Sequence, residues 1–255
     1  MAPLWIRDFA GAWVFYTVLP GWPRLQPRFE RIARFAPWIG LVIGSLQALL
    51  WLLLEALGWS PLPLVLAVTS FGAWLTGGLH LDGVMDTGDG LAAGRDRCLE
   101  AMDDSRVGAS GVLALLLVLA LLVAALLTLA QHQPSLVPLV LPVVAFWGRC
   151  SPLWAMLGFP YLREEGTASF HRTHARSGQE LIPAAAVVGL GLVVLLPWPQ
   201  WRGLLISVPC GLLAAWGVAT WLGRRLGGHT GDTYGASVVW TETLTLVLLA
   251  LLLGG

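Results

Sequence analysis

Seven apolar stretches divide this chain, at 36–57, 61–79, 109–131, 136–158, 181–197, 202–222 and 236–253. Each approaches the roughly 20 residues that an α-helix needs to cross a bilayer core. Backbone polar groups in hydrocarbon must be satisfied within their own segment, so stretches of this kind fold as spanning helices. Composition agrees. The chain is 56% hydrophobic and 12% charged, against about 25% charged for a soluble domain. The expected architecture is one all-α polytopic membrane bundle over residues 1–255, with about seven transmembrane helices.

The links between the stretches alternate. Those near 58–60, 132–135 and 198–201 are short and nearly uncharged, whereas those at 20–35, 80–108, 159–180 and 223–235 carry the charge. With seven spans, the four long links fall on one face. All fifteen basic residues are Arg, and most lie in these links. The positive-inside rule makes that face cytoplasmic. The beginning, MAPLWIRDFAGAWVFYTVLP, lacks the basic region and cleavage site of a removable signal and reads as an interfacial or re-entrant helix. Trp22, Trp59, Trp198 and Trp201 fall near span ends, as interfacial aromatics do. Formal net charge is zero, which gives no argument for nucleic acid as a partner. The cysteines, Cys98, Cys150 and Cys210, form no CxxC pair and define neither a disulfide framework nor a zinc site.

The second charged link holds LTGGLHLDGVMDTGDGLAAGRDRCLEAMDDSRVGASG. On a helix, Asp82, Asp86 and Asp89 share one narrow arc. Carboxylates so close repel unless a positive partner sits among them. A hard divalent cation such as Mg²⁺ suits oxygen ligands and substrate phosphate. Asp104 is a candidate fourth ligand if the segment folds back as a hairpin, and there an acidic pair with Asp103 can equally cap a helix. Arg95, Ser105 and Arg106 complete a kit for phosphoryl transfer, in which positioning and charge neutralisation carry the catalysis. His80 has three roles open to it: general base, metal ligand, or structural hydrogen-bonding group.

Further candidates lie elsewhere on the charged face. LGGHTGDTYGAS offers Gly228, Thr230, Gly231 and Asp232 in a glycine-rich turn that can cradle a phosphate. Arg163, with Glu164 and Glu165, can form a binding cluster, while the His171–Arg176 stretch reads as a solvated basic loop. Arg149 and Glu242 fall inside apolar stretches, where ionisable groups face a partner or a cavity.

GGLHLDGVMDTGDG, then MDDSRVGASG, then LGGHTGDTYGA together resemble the cobalamin synthase (adenosylcobinamide-GDP ribazoletransferase) family, with FYTVLP, PWIGLVIG and YLREEG as weaker echoes. The resemblance implies a Mg²⁺-dependent enzyme of the bacterial cytoplasmic (inner) membrane, with its active-site loops facing the cytoplasm. Such an enzyme joins adenosylcobinamide-GDP to α-ribazole or its 5′-phosphate and releases GMP. It maps the metal stripe onto Asp82, Asp86 and Asp89, the second acidic segment onto Asp104, Ser105 and Arg106, and the glycine-rich loop onto Gly228, Thr230, Gly231 and Asp232. The family often carries a basic residue before DSR, where this chain has Asp103. The implied partners are corrinoid and ribazole small molecules and membrane lipid. Both a homo-oligomer and a complex with enzymes of the same pathway stay open. Two other readings compete: another membrane phosphotransferase, such as a CDP-alcohol phosphatidyltransferase, and a cation-coupled transporter. The first lacks a place for GGLHLDG, and the second predicts inverted halves that the sequence does not contain.

Overall fold

The computed structural model describes residues 2–163, 174, 176, 178–196 and 202–254. Within them the chain is helical, and the one β-bridge joins Tyr161 to His229. The helices are α1 (Leu4–Tyr16), α2 (Ala36–Ala56), α3 (Pro61–Leu75), α4 (Leu79–Ala93), α5 (Cys98–Asp103), α6 (Ala109–His132), α7 (Val137–Gly158), α8 (Ile182–Leu195), α9 (Arg202–Leu226) and α10 (Gly231–Leu253). Proline stands in the first turn of α2, α3, α7 and α8. There its missing N–H costs nothing and its fixed φ favours the helix.

The polytopic helical bundle expected from the sequence is what the structure shows. Among the described residues, five helices are long and apolar enough to cross a membrane: those containing α2, α6, α7, α9 and α10. The sixth candidate is a bent pair, α3 and α4, turned by 89°. Gly77 and Gly78 make that turn with φ of +60° and +76°, a region closed to most side chains. Gly78 then starts α4 in a new direction, so 61–79 is not one continuous span. Within stretch 181–197 the described helix is α8, whose 14 residues cover about 21 Å, and residues 197–201 lie outside the described residues. The N-terminal segment is a 13-residue helix, shorter than a span. Asp8 on α1 is buried, and its carboxylate receives Arg34 at 2.7 Å, which docks α1 beside the start of α2.

The core is packed helix against helix, and small residues set the spacing. In α2, Gly40 and Gly44 lie one turn apart against α7. A Cβ at Gly40 would come within 2.3 Å of the Ala145 carbonyl, and one at Gly44 within 2.3 Å of the Pro142 Cα. This is the small-xxx-small geometry by which membrane helices approach closely. Beneath it, Trp51, Val65, Val68, Leu126, Leu129 and Leu249 join α2, α3, α6 and α10 in one apolar cluster.

The four charged links meet at one end of the bundle. The Arg31 guanidinium donates to Glu180 at 2.7 Å, tying the first link to the third. Arg163 reaches Asp103 at 2.9 Å and Asp232 at 3.0 Å, tying the third to the second and fourth. At the opposite end, the Gln133 side-chain amide donates to the Leu253 carbonyl.

Because the atoms facing Gly44 are backbone, they cannot yield to a side chain. Gly44→Leu is expected to lower the thermal midpoint of the detergent-solubilised protein, at a cost of about 1–3 kcal/mol for overpacking. Ser45→Leu, on the exposed face of the same helix, should leave the midpoint nearly unchanged. Equal midpoints for the two variants would contradict the packing described.

Candidate active site

The acidic stripe lies on α4, and two neighbours fix that helix. Gly83 meets α10, where a Cβ would stand 2.5 Å from the Asp232 carbonyl oxygen. Gly88 meets α6, where a Cβ would stand 2.7 Å from the Ala114 Cβ. Glycine at these positions lets α4 lie in backbone contact with α10, bringing Asp82 and Asp86 beside Asp232 in the first turn of α10.

These carboxylates act on one another. Asp86, half-buried, experiences the negative charges of Asp82, Asp232 and Asp89 and the positive charge of Arg163. Among the described residues, Arg163 is the cation that acts on Asp86. The third member of the stripe also has backbone partners. Both Asp89 oxygens are taken by backbone: Gly108 N–H donates at 2.7 Å and Gly111 N–H at 2.8 Å. These are orphan donors at the start of α6, and an acceptor there caps the helix. Gly108 and Gly111 leave room for that carboxylate, since a Cβ on either would meet it.

The hairpin folds back, and Asp103 is the residue that reaches the site, through Arg163. Asp104 is instead held by Arg106, which donates at 2.6 Å. The Arg106 hydrogen bonds pull the exposed Asp104 carboxyl down to about 2. Arg106 and Ser105 are exposed at the tip. The Arg95 guanidinium lies near Gly227, at the glycine-rich loop.

That loop is built from internal hydrogen bonds. Thr230 caps α10 by accepting from the Thr233 N–H, and the Thr233 hydroxyl reciprocates by accepting from the Thr230 N–H. Gly228 packs against the Pro160 carbonyl, where a Cβ would lie at 2.5 Å. Two bridge hydrogen bonds, His229 N–H to Pro160 O and Leu162 N–H to His229 O, set the direction of Arg163. His229 is fully buried, and its Nε2–H donates to the Ala219 carbonyl at 3.0 Å. Burial pushes its pKa down to about 4, which leaves a neutral, structural ring. Gly228 and Thr230 are thus buried parts of the loop, while Gly231 and Asp232 line open space.

That space is a cavity of about 210 Å³ between α1, α4, α7 and α10. Its polar lining includes His80, Asp82, Arg149, Asp232 and Tyr234, and Phe15 and Tyr16 of α1 close one side. His80 is buried, and its Nδ1 has no hydrogen-bond partner among the described residues. Arg149 donates to Glu242 at 2.7 Å, so the two ionisable groups inside the apolar stretches pair with each other. Among the described residues no three His, Cys, Asp or Glu side chains close into a metal cage. Mg²⁺ does not require one, because it binds through one or two carboxylates together with water and phosphate. Asp82 and Asp86, one turn apart in a cluster of acids, fit that pattern. Glu164, Glu165, His171 and Arg172 lie outside the described residues.

Composition alone gave no reason to bring Phe15 and Tyr16 to the cavity, and their only signal was the FYTVLP echo. The Asp103–Arg163–Asp232 bridge carried no signal of its own, because it joins three separate links.

A polytopic helical membrane protein with carboxylates and arginines gathered at one end is the class that this fold and site define. The chain belongs to the family described as cobalamin-5-phosphate synthase, which matches residues 8–250, and it is an enzyme of that family. Among its relatives, a protein of Prochlorococcus marinus (strain MIT 9313) is 60% identical, covering 99% of this chain and 98% of the relative. One from another strain of Prochlorococcus marinus is 44% identical over 99% of this chain and 98% of its own. One from Synechococcus sp. (strain ATCC 27144 / PCC 6301 / SAUG 1402/1) is 42% identical over 96% of each. All three are named adenosylcobinamide-GDP ribazoletransferase. No solved structure matches the chain.

Asp89→Ala removes both acceptors at the start of α6 and is expected to cost about 1–2 kcal/mol, the range for a lost N-cap. The readout is the thermal midpoint in detergent, and Asp89→Asn, which keeps one acceptor oxygen, should recover part of the loss. An unchanged midpoint for Asp89→Ala would contradict the capping role.

Proposed function

We propose that this chain joins adenosylcobinamide-GDP to α-ribazole, or its 5′-phosphate, and releases GMP, with Mg²⁺ as the required cation. The observation that carries this reading is the approach of Asp82 and Asp86 to Asp232 beside a polar cavity, in a chain of the cobalamin-5-phosphate synthase family. The names of its relatives point to the corrinoid and ribazole substrates.

In this reading the ribose 3′-hydroxyl of α-ribazole attacks the phosphorus nearest the cobinamide. One P–O bond forms, the bond to GMP breaks, and GMP leaves with the electron pair. When bound, Mg²⁺ neutralises pyrophosphate charge and orients it. Asp82 and Asp86 are the residues that would hold the ion, with Asp232 beside them. Asp89 and Asp104 belong to the expected ligand set, but each already has partners, in the α6 cap and in Arg106. The hydroxyl proton passes to His80 Nδ1, which has no competing partner among the described residues, or to a carboxylate of the cluster. Arg95, Arg106, Arg149 and Arg163 offer positive charge to phosphate oxygens, and the planar guanidinium suits that contact. Ser105, Gly228, Thr230 and Gly231 complete the surrounding loops.

The charged end faces the cytoplasm in this account, since the arginine-bearing links gather there and the positive-inside rule governs such links. The membrane is the bacterial cytoplasmic membrane, where soluble nucleotide substrates reach that face.

Purified protein incubated with both substrates and Mg²⁺ should release GMP, and EDTA should stop it. Asp82→Asn and Asp86→Asn should each lower turnover by at least about 10²-fold, the scale for losing charge stabilisation at a reacting centre. Asp104→Asn should stay within about threefold of the parent, because an exposed ion pair contributes little. Full turnover by folded Asp82→Asn or Asp86→Asn would sink the assignment.

A further inference from the structure

Arg149 sits within α7 and is only 3% exposed. Its Nη1 donates to Glu242 Oε1 at 2.7 Å and to the Ala145 carbonyl at 3.0 Å, while its Nε has no partner among the described residues. Glu242 fits beside α7 because Gly148 has no side chain, since a Cβ there would lie 2.5 Å from the Glu242 Cγ.

This guanidinium lines two cavities. The larger, about 210 Å³, also holds His80, Asp82 and Asp232. The deeper one, about 80 Å³, also holds Gln47, Thr76 and Glu242. Arg149 thus has acids in both directions, and its ion pair goes to the deeper one. Its charge acts on His80, Tyr16 and Glu242, whereas Asp86 experiences Asp82, Asp232, Arg163 and Asp89. The larger cavity that Arg149 lines also holds the carboxylates of Asp82 and Asp232, so these are acids a guanidinium released from Glu242 could meet there. A buried cation left without its partner is costly, so it would turn to them. The cluster would then lose part of the negative charge on which a divalent cation depends.

We propose that Glu242 is a positioning residue for the active site. It anchors Arg149, which lines both cavities, and withholds that positive charge from Asp82 and Asp232 in the larger one. The acids stay free for a divalent cation, and the guanidinium stays available to substrate phosphate. This rests on the reading of those acids as a cation site.

The test uses Mn²⁺ as a spectroscopic probe, titrated into the detergent-solubilised full-length chain without substrates and followed by electron paramagnetic resonance. Wild-type protein should bind Mn²⁺ saturably. Glu242→Gln should weaken binding by about tenfold or more, as one competing positive charge enters the site. The double variant Arg149→Met, Glu242→Gln removes that competitor and should return within about threefold of wild type, a non-additive rescue that lost packing cannot give. Gly148→Ala displaces the Glu242 side chain without deleting a charge and should also weaken binding, so it decides the matter if Glu242→Gln does not fold. Wild-type Mn²⁺ affinity in folded Glu242→Gln, or in Gly148→Ala, would overturn the proposal. So would a double variant as weak as Glu242→Gln. Absence of saturable Mn²⁺ binding to the wild-type chain would remove the cation reading itself, and the positioning role with it.

Discussion

The backbone of α4 can touch the backbone of α10 because position 83 has no side chain. Much else at the charged end follows from that contact. It places the first two acids of the stripe beside Asp232, at the start of a helix whose cap is built by Thr230 and Thr233. It also sets the walls of the cavity that His80 and Arg149 enter from either side. Gly88 serves the same helix against α6, and Gly40 and Gly44 do so for α2 against α7. Helices in lipid gain little from hiding apolar surface, so close backbone approach supplies the packing that holds them.

Charges in such a bundle must answer for their position. Asp8 is held by Arg34, Glu180 by Arg31, and Arg149 by Glu242. Each pair joins segments distant in sequence, so the ion pairs also fix which links meet. The acids around Asp86 differ: among the described residues, Asp82, Asp86 and Asp232 lie near one another with Arg163 as the cation acting on Asp86. Acids gathered in this way are a functional signal rather than a stabilising one, since perturbed groups cluster where chemistry is done.

The sequence made the helical membrane class and the charged face legible, because hydropathy and arginine placement report them directly. The i, i+4 relation of Asp82 and Asp86 was equally readable, since α4 is a helix where the spacing required one. Asp89 was not separable from them by spacing alone, because its role depends on Gly108 and Gly111, some twenty residues later. The division of labour between Asp103 and Asp104 depends likewise on Arg163 and Arg106. Among the described residues, five or six candidate spans are found against the about seven expected, and the difference has a physical reason. Hydropathy does not see the paired positive-φ glycines that break α3 from α4, and it does not distinguish the short α8 from a full crossing.

The contact at Gly83 can be tested without altering a single charge. Gly83→Val should insert and fold as a helical bundle, yet lose nearly all GMP release at saturating Mg²⁺, because α4 can no longer seat its acids against α10. Parental turnover in the folded Gly83→Val protein would mean that the acids work without this approach, and the account of the site would fall.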